Sequence, residues 1–283
     1  MTSTSAAASA LQSPSPWADR LKLATLPNGL PIWEINHHET EFLYSEIFQQ
    51  DLYFRRGITL PAGAVVFDVG ANIGMFSLLA RQRCPDATIF AFEPSPIAAE
   101  ALRRNTETSS GQMHVYECGA SSQNGSSVLT FYPGYTILSG FHAQAEEDRS
   151  VLHASIRDEA NRRGVSKWLT NGAIDRLAQQ KLGQPVHIAC PMRTLSSVIN
   201  EHHLDRVDLL KIDAERCEQE ILNGITAPHW HRIRQVVMEV HDQAGGVLDQ
   251  IVTLLKSVGF AVVSEQQADG SEAGLFDLYA VRS

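Results

Sequence analysis

From Pro61 onward, short apolar runs alternate with segments of helical periodicity, and this alternation constrains the fold more than any other feature of the chain. The first run, Val65-Val66-Phe67, is β-branched and aromatic, and the helical pattern after it carries Phe76 and Leu79. Further predicted strands are 88–92, 114–118, 127–132, 207–212, 235–240, 260–264 and 275–281, and further predicted helices are 96–105, 195–202 and 247–257. Strands that alternate with helices predict an α/β fold with a mostly parallel sheet. The last two strands are joined by a short link, which predicts an antiparallel edge.

Segments of different composition flank this domain. Residues 1–16 are rich in Ser, Thr, Ala and Pro, and we expect a disordered tail. Residues 17–60 are expected to form an N-terminal layer, with a β-hairpin at 21–35 and a helix at 39–56 that ends before Gly57. The main domain is then 61–283. Its polar segment 141–183 is predicted to be a helical insertion that covers one face of the sheet as a lid.

Charge and composition exclude several classes of protein. The net charge of -9 argues against a general nucleic-acid binder, because such proteins gain affinity from cationic contacts to phosphate. No apolar run has the roughly 18–20 residues of a membrane span, and the N-terminus lacks the pattern of a secretory signal. The four cysteines form no C-x-x-C pair and are typical of free thiols. We therefore expect a cytoplasmic protein without nucleic-acid or membrane partners, and the oligomeric state is not predicted.

The turn after the first strand predicts a ligand site. Asp68 is followed by Gly70, Asn72 and Gly74, so the spacing is G-x-x-x-G and not the G-x-G-x-x-G of dinucleotide sites. An acidic residue at this place suits a cation or an amine better than a phosphate. Glu93 ends the second strand, 19 residues after Gly74 (93 minus 74), where a carboxylate accepts hydrogen bonds from ribose hydroxyls. A ribose without a phosphate predicts S-adenosylmethionine, and the alternative is a glycine turn in a domain that binds nothing.

These segments resemble the FkbM family of S-adenosylmethionine-dependent methyltransferases. The similar segments are Val66 to Gly74, Ala91 to Pro94, and Leu210-Lys211-Ile212-Asp213-Ala214-Glu215 with Glu218. The resemblance covers residues 26–283 and is closest to the branch associated with polyketide and non-ribosomal peptide assembly lines. It implies a Rossmann-like class I methyltransferase with a seven-stranded sheet. It also implies methyl transfer to a hydroxyl of a small-molecule or carrier-protein-bound acceptor. Arg216 stands where many relatives have glycine, and Ser196 where many have aspartate.

Four residues at strand ends are the predicted catalytic set. A hydroxyl acceptor needs a proton acceptor because neutral alcohols are weak nucleophiles. His241 follows the strand 235–240 and is the predicted base, and Glu239 points to the same side and is predicted to orient it. Asp213 and Glu215 follow the neighbouring strand. We expect Asp213 to face the methyl donor or the acceptor and Glu215 to hydrogen-bond the acceptor, the alternative being a structural ion-pair network.

The predicted acceptor pocket lies between the aromatic, glycine-rich segment 131–141 and the insertion. Tyr132 and Tyr135 are expected to form one wall, and His142 and Arg216 are expected to project into the pocket. Asp242, with the predicted catalytic residues, could gather Mg²⁺, which favours oxygen ligands. The sequence shows no tight carboxylate cluster, so no metal is predicted.

Three other functions remain open at this point. An N-methyltransferase would need little or no base, so His241 would matter less. A nucleotide-dependent oxidoreductase is disfavoured by Asn72 in the phosphate-turn position. A methyltransferase-like binding module without catalytic activity is disfavoured by the intact glycine turn and Glu93.

Overall fold

The computed structural model describes residues 17–107, 111–142, 152–153, 156–157, 160, 170–182, 184–267 and 274–282. The predicted tail at 1–16 and much of the predicted insertion at 141–183 lie outside these residues. All four cysteines are buried and free.

The N-terminal layer begins with an antiparallel hairpin of β1 (Lys22–Thr25) and β2 (Pro31–Glu34), followed by α1 (His37–Tyr44). The continuous helix predicted for 39–56 is wrong. A π-helical turn (Ser45–Gln49) follows α1, and a separate 3₁₀ turn (Leu52–Phe54) comes after it. The physical cause is Asp51, whose φ of 54° is left-handed and interrupts the helix.

The main domain alternates strands and helices. Its strands are β3 (Val65–Val69), β4 (Thr88–Phe92), β5 (Gln112–Tyr116), β6 (Gly119–Ala120), β7 (Gly125–Phe131), β8 (Val186–Arg193), β9 (Leu209–Ile212), β10 (Gln235–His241), β11 (Phe260–Gln266) and β12 (Leu275–Arg282). Its helices of the described residues are α2 (Met75–Arg83), α3 (Pro96–Thr106), α4 (Asn171–Leu182), α5 (Leu195–Glu201), α6 (Glu218–Asn223), α7 (Ala227–Trp230) and α8 (Val247–Ser257).

Seven strands form one sheet in the order β5-β4-β3-β9-β10-β12-β11. Neighbours from β5 to β10 are parallel, and β12 is antiparallel to both β10 and the edge strand β11. The predicted mostly parallel sheet with an antiparallel edge is confirmed. Because the chain returns from β4 and β5 to the other side of β3, the ends of β3, β4 and β9 surround a crevice, where open α/β sheets bind ligands.

A smaller sheet of β6, β8 and β7 lies beside the main one and was not predicted. β8 pairs antiparallel with β7 along its whole length, although Pro191 lies within it and weakens its strand signal. Two predicted strand boundaries also differ. Val207 forms only an isolated bridge with Ile233 ahead of β9, and Cys118 lies beyond the end of β5.

Candidate active site

The turn between β3 and α2 brings the backbone against two neighbouring strands. Gly70 has φ +73°, and a Cβ on it would lie 1.7 Å from the carbonyl oxygen of Asp213. The N–H groups of Gly70 and Ala71 donate to the carbonyl oxygen of Phe92 at 3.0 and 3.1 Å. Only glycine fits this position. The turn is therefore fixed between the ends of β4 and β9.

Glu93 lies at the end of β4 and reaches back to this turn. One of its carboxylate oxygens accepts a hydrogen bond from the backbone N–H of Asn72, and the other accepts one from the N–H of Ser95, both at 2.8 Å. Burial raises the pKa of Glu93 to about 7, against the effect of these two hydrogen bonds. The side chain is thus held by main-chain atoms beside Gly70 and Asn72, as the sequence predicts for a ribose-binding carboxylate.

Asp68 supports the turn from below. It is fully buried, accepts a hydrogen bond from the Ser77 hydroxyl at 2.6 Å, and lies 3.2 Å from Nζ of Lys211. Lys211 also donates to the carbonyl oxygen of Gly70 at 2.8 Å and lies 3.4 Å from Asp213. Burial disfavours its charge, but the two aspartates outweigh that effect and raise the pKa of Lys211. Asp68 therefore holds the turn in shape and does not line the cavity above it.

A cavity of about 750 Å³ opens above the turn, a volume within the usual range for small-molecule sites. Gly70, Asn72 and Glu93 line one side of it, and Asp213, Glu215, Arg216, Glu218, Glu239 and His241 line the other. The N-terminal layer contributes Phe42, Leu43 and Glu46, and the loop 136–142 closes a further side. Predicted cofactor and predicted catalytic residues therefore face the same space.

His241, at the end of β10, lies among three carboxylates. Its Nδ1 is 2.6 Å from Glu218, and its Nε2 is 3.0 Å from Glu215 and 3.6 Å from Glu239. Burial opposes a positive imidazole, but the hydrogen bonds and charges of Glu215 and Glu218 outweigh it and raise the pKa of His241 to about 11. At neutral pH this imidazole holds its proton, unlike an ordinary histidine with a pKa near 6.5. The basic atoms of this cluster are therefore carboxylate oxygens.

Two further carboxyl groups face the same space. Burial and then the charge of Asp213 raise the pKa of Glu239 to about 8, although Gln267 donates a hydrogen bond to it at 2.8 Å. Burial and the charges of Glu239 and Asp213 raise the pKa of Glu46 to about 9. Both groups can take up a proton near neutral pH.

Asp213, which follows β9, is shared between the two halves of the site. Its carbonyl oxygen packs against Gly70, and its carboxylate accepts a hydrogen bond from the Tyr53 hydroxyl at 2.8 Å. Tyr53 is itself buried and belongs to the N-terminal layer. This layer therefore contacts the end of β9 directly.

The loop over the cavity is fixed to α1 by a buried carboxylate. Glu39 accepts hydrogen bonds from the Thr136 hydroxyl at 3.0 Å and from the backbone N–H of Ile137 at 3.3 Å. Burial raises the pKa of Glu39 to about 7. The far end of the loop is held by Arg216, whose guanidinium donates to the carbonyl oxygen of His142 at 3.3 Å. His142 and Arg216 thus lie at the cavity, where the sequence predicts them.

Three other predicted site residues do not reach the cavity. Tyr132 and Tyr135 are buried in a separate apolar cluster with Leu138 and Ile174, the latter from α4. They support the loop from behind instead of forming the predicted wall. Gly74 begins α2 with φ +92° and packs against Leu102 of α3, since a Cβ there would lie 2.6 Å from the Leu102 side chain. Its contribution is to the turn and not to the cavity surface.

Sequence reasoning assigned no role to Glu46 or Gln267. Glu46 lies in the π-helical turn, and Gln267 lies just after β11. Neither belongs to a motif. Their place at the cavity depends on how distant elements pack, so no local pattern could have revealed it.

A seven-stranded sheet in this order, with a glycine turn after its first strand and a carboxylate after its second, defines a Rossmann-like class I S-adenosylmethionine-dependent methyltransferase. The residues present fit that cofactor, because a buried carboxylate, an amide and main-chain groups suit ribose hydroxyls. A family model described as "Methyltransferase FkbM domain" matches residues 68–262. The chain belongs to this family, which confirms the resemblance seen in the sequence.

Several characterised proteins are similar over most of this chain. The "31-O-demethyl-FK506 methyltransferase FkbM" of Streptomyces tacrolimicus is 40% identical over 249 residues, which are 88% of this chain and 92% of that protein. The "Methyltransferase sdnD" of Sordaria araneosa is 32% identical over 84% of this chain and 88% of its own length. The "AMB antimetabolite synthetase AmbE" of Pseudomonas aeruginosa is 38% identical over 91% of this chain, which matches 12% of that much longer protein.

Among solved structures, magnesium protoporphyrin IX methyltransferase from Synechocystis PCC 6803 with bound S-adenosylmethionine aligns with a TM-score of 0.40 and 11% identity. The alignment covers 87% of this chain and 80% of that one. Within the described part of the chain, no helix combines the length and the apolar character needed to cross a bilayer.

Proposed function

We propose that this enzyme transfers the methyl group of S-adenosylmethionine to a hydroxyl of a secondary-metabolite acceptor derived from a polyketide, a peptide or a related small molecule. The observation that carries this proposal is the cluster of His241, Glu215 and Glu239, which faces the glycine turn across one cavity. The relative from Streptomyces tacrolimicus, named as a methyltransferase of 31-O-demethyl-FK506, supports a hydroxyl acceptor.

The cofactor half of the site would consist of Gly70, Asn72 and Glu93, with Asp213 beside them. When bound, S-adenosylmethionine supplies a methyl group that is already activated by its sulfonium. Glu93 uses one lone pair of each oxygen for a backbone N–H and keeps the others for ribose hydroxyls. Asp68 and Gly74 act indirectly, because they fix the shape of the turn.

The acceptor half would position the hydroxyl and remove its proton. Much of the rate enhancement comes from holding the acceptor in line with the donor. Glu215 is 38% exposed, so it can turn aside and hydrogen-bond the entering hydroxyl. Glu239, with its pKa raised toward neutral, is the proposed proton acceptor, and His241 fixes both carboxylates by its charge. His142 and Arg216 would contact more distant parts of the acceptor.

The acceptor is proposed to be either free or attached to a carrier protein. The similarity to a segment of AmbE, named as a synthetase, supports a carrier-bound form. Incubation of the enzyme with S-adenosylmethionine and matched free and carrier-loaded hydroxyl compounds tests both forms. Mass spectrometry should detect the gain of one methyl group on the acceptor. If S-adenosylmethionine binds but no acceptor gains a methyl group, the protein is a binding module instead.

Replacing His241 by alanine should lower turnover by about 10²-fold or more, because the proton-accepting cluster loses the cation that holds it together. The affinity for S-adenosylmethionine, measured by calorimetry, should stay nearly unchanged. His231→Ala is the matched control, since His231 is exposed and does not line the cavity. Near-normal turnover of His241→Ala on a hydroxyl would remove this residue from the mechanism. Activity on an amine that is insensitive to the substitution would favour N-methylation.

A further inference from the structure

Three side chains bring one donor atom each to a common point in the cavity. His241 Nε2 lies 3.0 Å from Glu215 Oε2 and 3.6 Å from Glu239 Oε1, and the three atoms all lie within 4.8 Å of one another. Two ligands at right angles on an ion with bonds of about 2.1 Å are about 3 Å apart. The spacing of the three atoms is therefore that of adjacent ligands on one cation.

Residues outside this set hold two of the three donors in place. The Nδ1 of His241 contacts the buried Glu218 at 2.6 Å, which leaves Nε2 pointing toward the cavity. Gln267 donates to Oε2 of Glu239 at 2.8 Å, and the other oxygen of this carboxylate faces His241. A carboxylate on the second nitrogen of a histidine, and a hydrogen bond on the second oxygen of a carboxylate, are the usual outer contacts of metal ligands.

The charge of the cavity points the same way. Its lining holds seven carboxyl residues against one arginine and two histidines. Among the described residues, none forms a hydrogen bond or an ion pair with the carboxyl group of Glu46, which faces this lining. A divalent cation would compensate this excess of acid.

We propose that Glu215, Glu239 and His241 bind one divalent cation, with Glu218 and Gln267 as positioning residues. The sequence predicted no metal because it offered Asp242 as the additional ligand. In the structure Asp242 instead accepts hydrogen bonds from the backbone at the start of α8. Glu215 takes its place, and the sequence spacing alone did not show that it meets His241.

One imidazole and two carboxylates suit Mn²⁺, and also Mg²⁺ or Zn²⁺. Three protein ligands leave coordination positions open toward the cavity. This part of the inference rests on the proposed function: the ion would hold the acceptor oxygen and make its proton easier to remove.

The test uses the full-length protein, freed of metal with a chelator and checked by elemental analysis. Titration with Mn²⁺, followed by calorimetry and electron paramagnetic resonance without S-adenosylmethionine, should show one site per chain and a coupling to one imidazole nitrogen. His241→Ala should abolish that coupling. Glu215→Gln and Glu218→Gln should weaken binding by about 10–100-fold, and Mg²⁺ and Zn²⁺ should compete with Mn²⁺.

Glu220→Gln is the matched control, because Glu220 is a cavity carboxylate outside the donor set. Equal weakening by Glu220→Gln and Glu215→Gln, or the absence of a nitrogen coupling, would overturn the site. Full methylation of a hydroxyl by verified metal-free enzyme would overturn the role of the ion but leave the proposed function intact. Specific Mn²⁺ binding without methylation of any hydroxyl would do the reverse.

Discussion

Replacing Lys211 by methionine tests how the cofactor turn is held. The ammonium is buried 3.2 Å from Asp68 and 3.4 Å from Asp213, and it donates to the carbonyl oxygen of Gly70. Methionine fills similar space without the charge. The substitution leaves the fully buried carboxylate of Asp68 with only the Ser77 hydroxyl as a partner.

The expected loss in the free energy of unfolding is about 4 kcal/mol at pH 7. Breaking a buried ion pair on one side typically costs about 3–5 kcal/mol. The carboxylate can instead take up a proton, which for an ordinary aspartate at pH 7 costs about 1.4 kcal/mol for each of about 3 pH units. At pH 5 that route costs only about 1.5 kcal/mol. The folded variant then holds a proton that its unfolded chain releases, so its stability falls as the pH rises.

Urea denaturation of wild type and Lys211→Met at pH 5 and pH 7 measures both effects. Adding Asp68→Asn to the variant should recover at least half of the loss at pH 7, because no buried charge then remains unpaired. Arg103→Met is the control, since the exposed pair of Arg103 with Glu117 contributes about 1 kcal/mol or less. A loss below about 1 kcal/mol, or a loss independent of pH, would refute this account of the turn.

Two further predictions concern the turn and the loop. Gly70→Ala should abolish the calorimetric binding of S-adenosylmethionine, because the new Cβ would lie 1.7 Å from the carbonyl oxygen of Asp213. Gly57→Ala has a similar φ but no atom within 4 Å, so it should cost about 1–2 kcal/mol and leave binding intact; retained binding in Gly70→Ala would contradict the geometry. Burial raises the pKa of Glu39 to about 7, so the folded protein retains a proton that the unfolded chain loses above about pH 4.5. The stability of wild type relative to Glu39→Gln should therefore fall by up to about 3 kcal/mol between pH 4.5 and pH 7.5 in urea titrations, and a constant difference would exclude this linkage.

The cofactor half of the site could be predicted from the sequence because it is local. A buried strand, a glycine turn and a carboxylate at the next strand end follow one another along the chain, and parallel strands bring their ends to one edge. His241 and Glu239 were predictable for the same reason, since they share one face of β10. Tyr53 contacts Asp213 across 160 positions of sequence. No pattern encodes that contact, because it depends on how the N-terminal layer packs on the sheet.

The two halves of the site are held by different kinds of contact, and this difference bears on specificity. Glu93 and Gly70 are fixed by main-chain atoms, which most substitutions leave unchanged. The acceptor half depends on side chains that contact one another and on a loop held by Arg216. Arg216 has φ +59°, a conformation that glycine adopts more readily, and its side chain reaches the loop over the cavity. Backbone strain maintained at this turn is what a residue selected for its contact with the acceptor would show, so acceptor choice can change here while the cofactor half stays as it is.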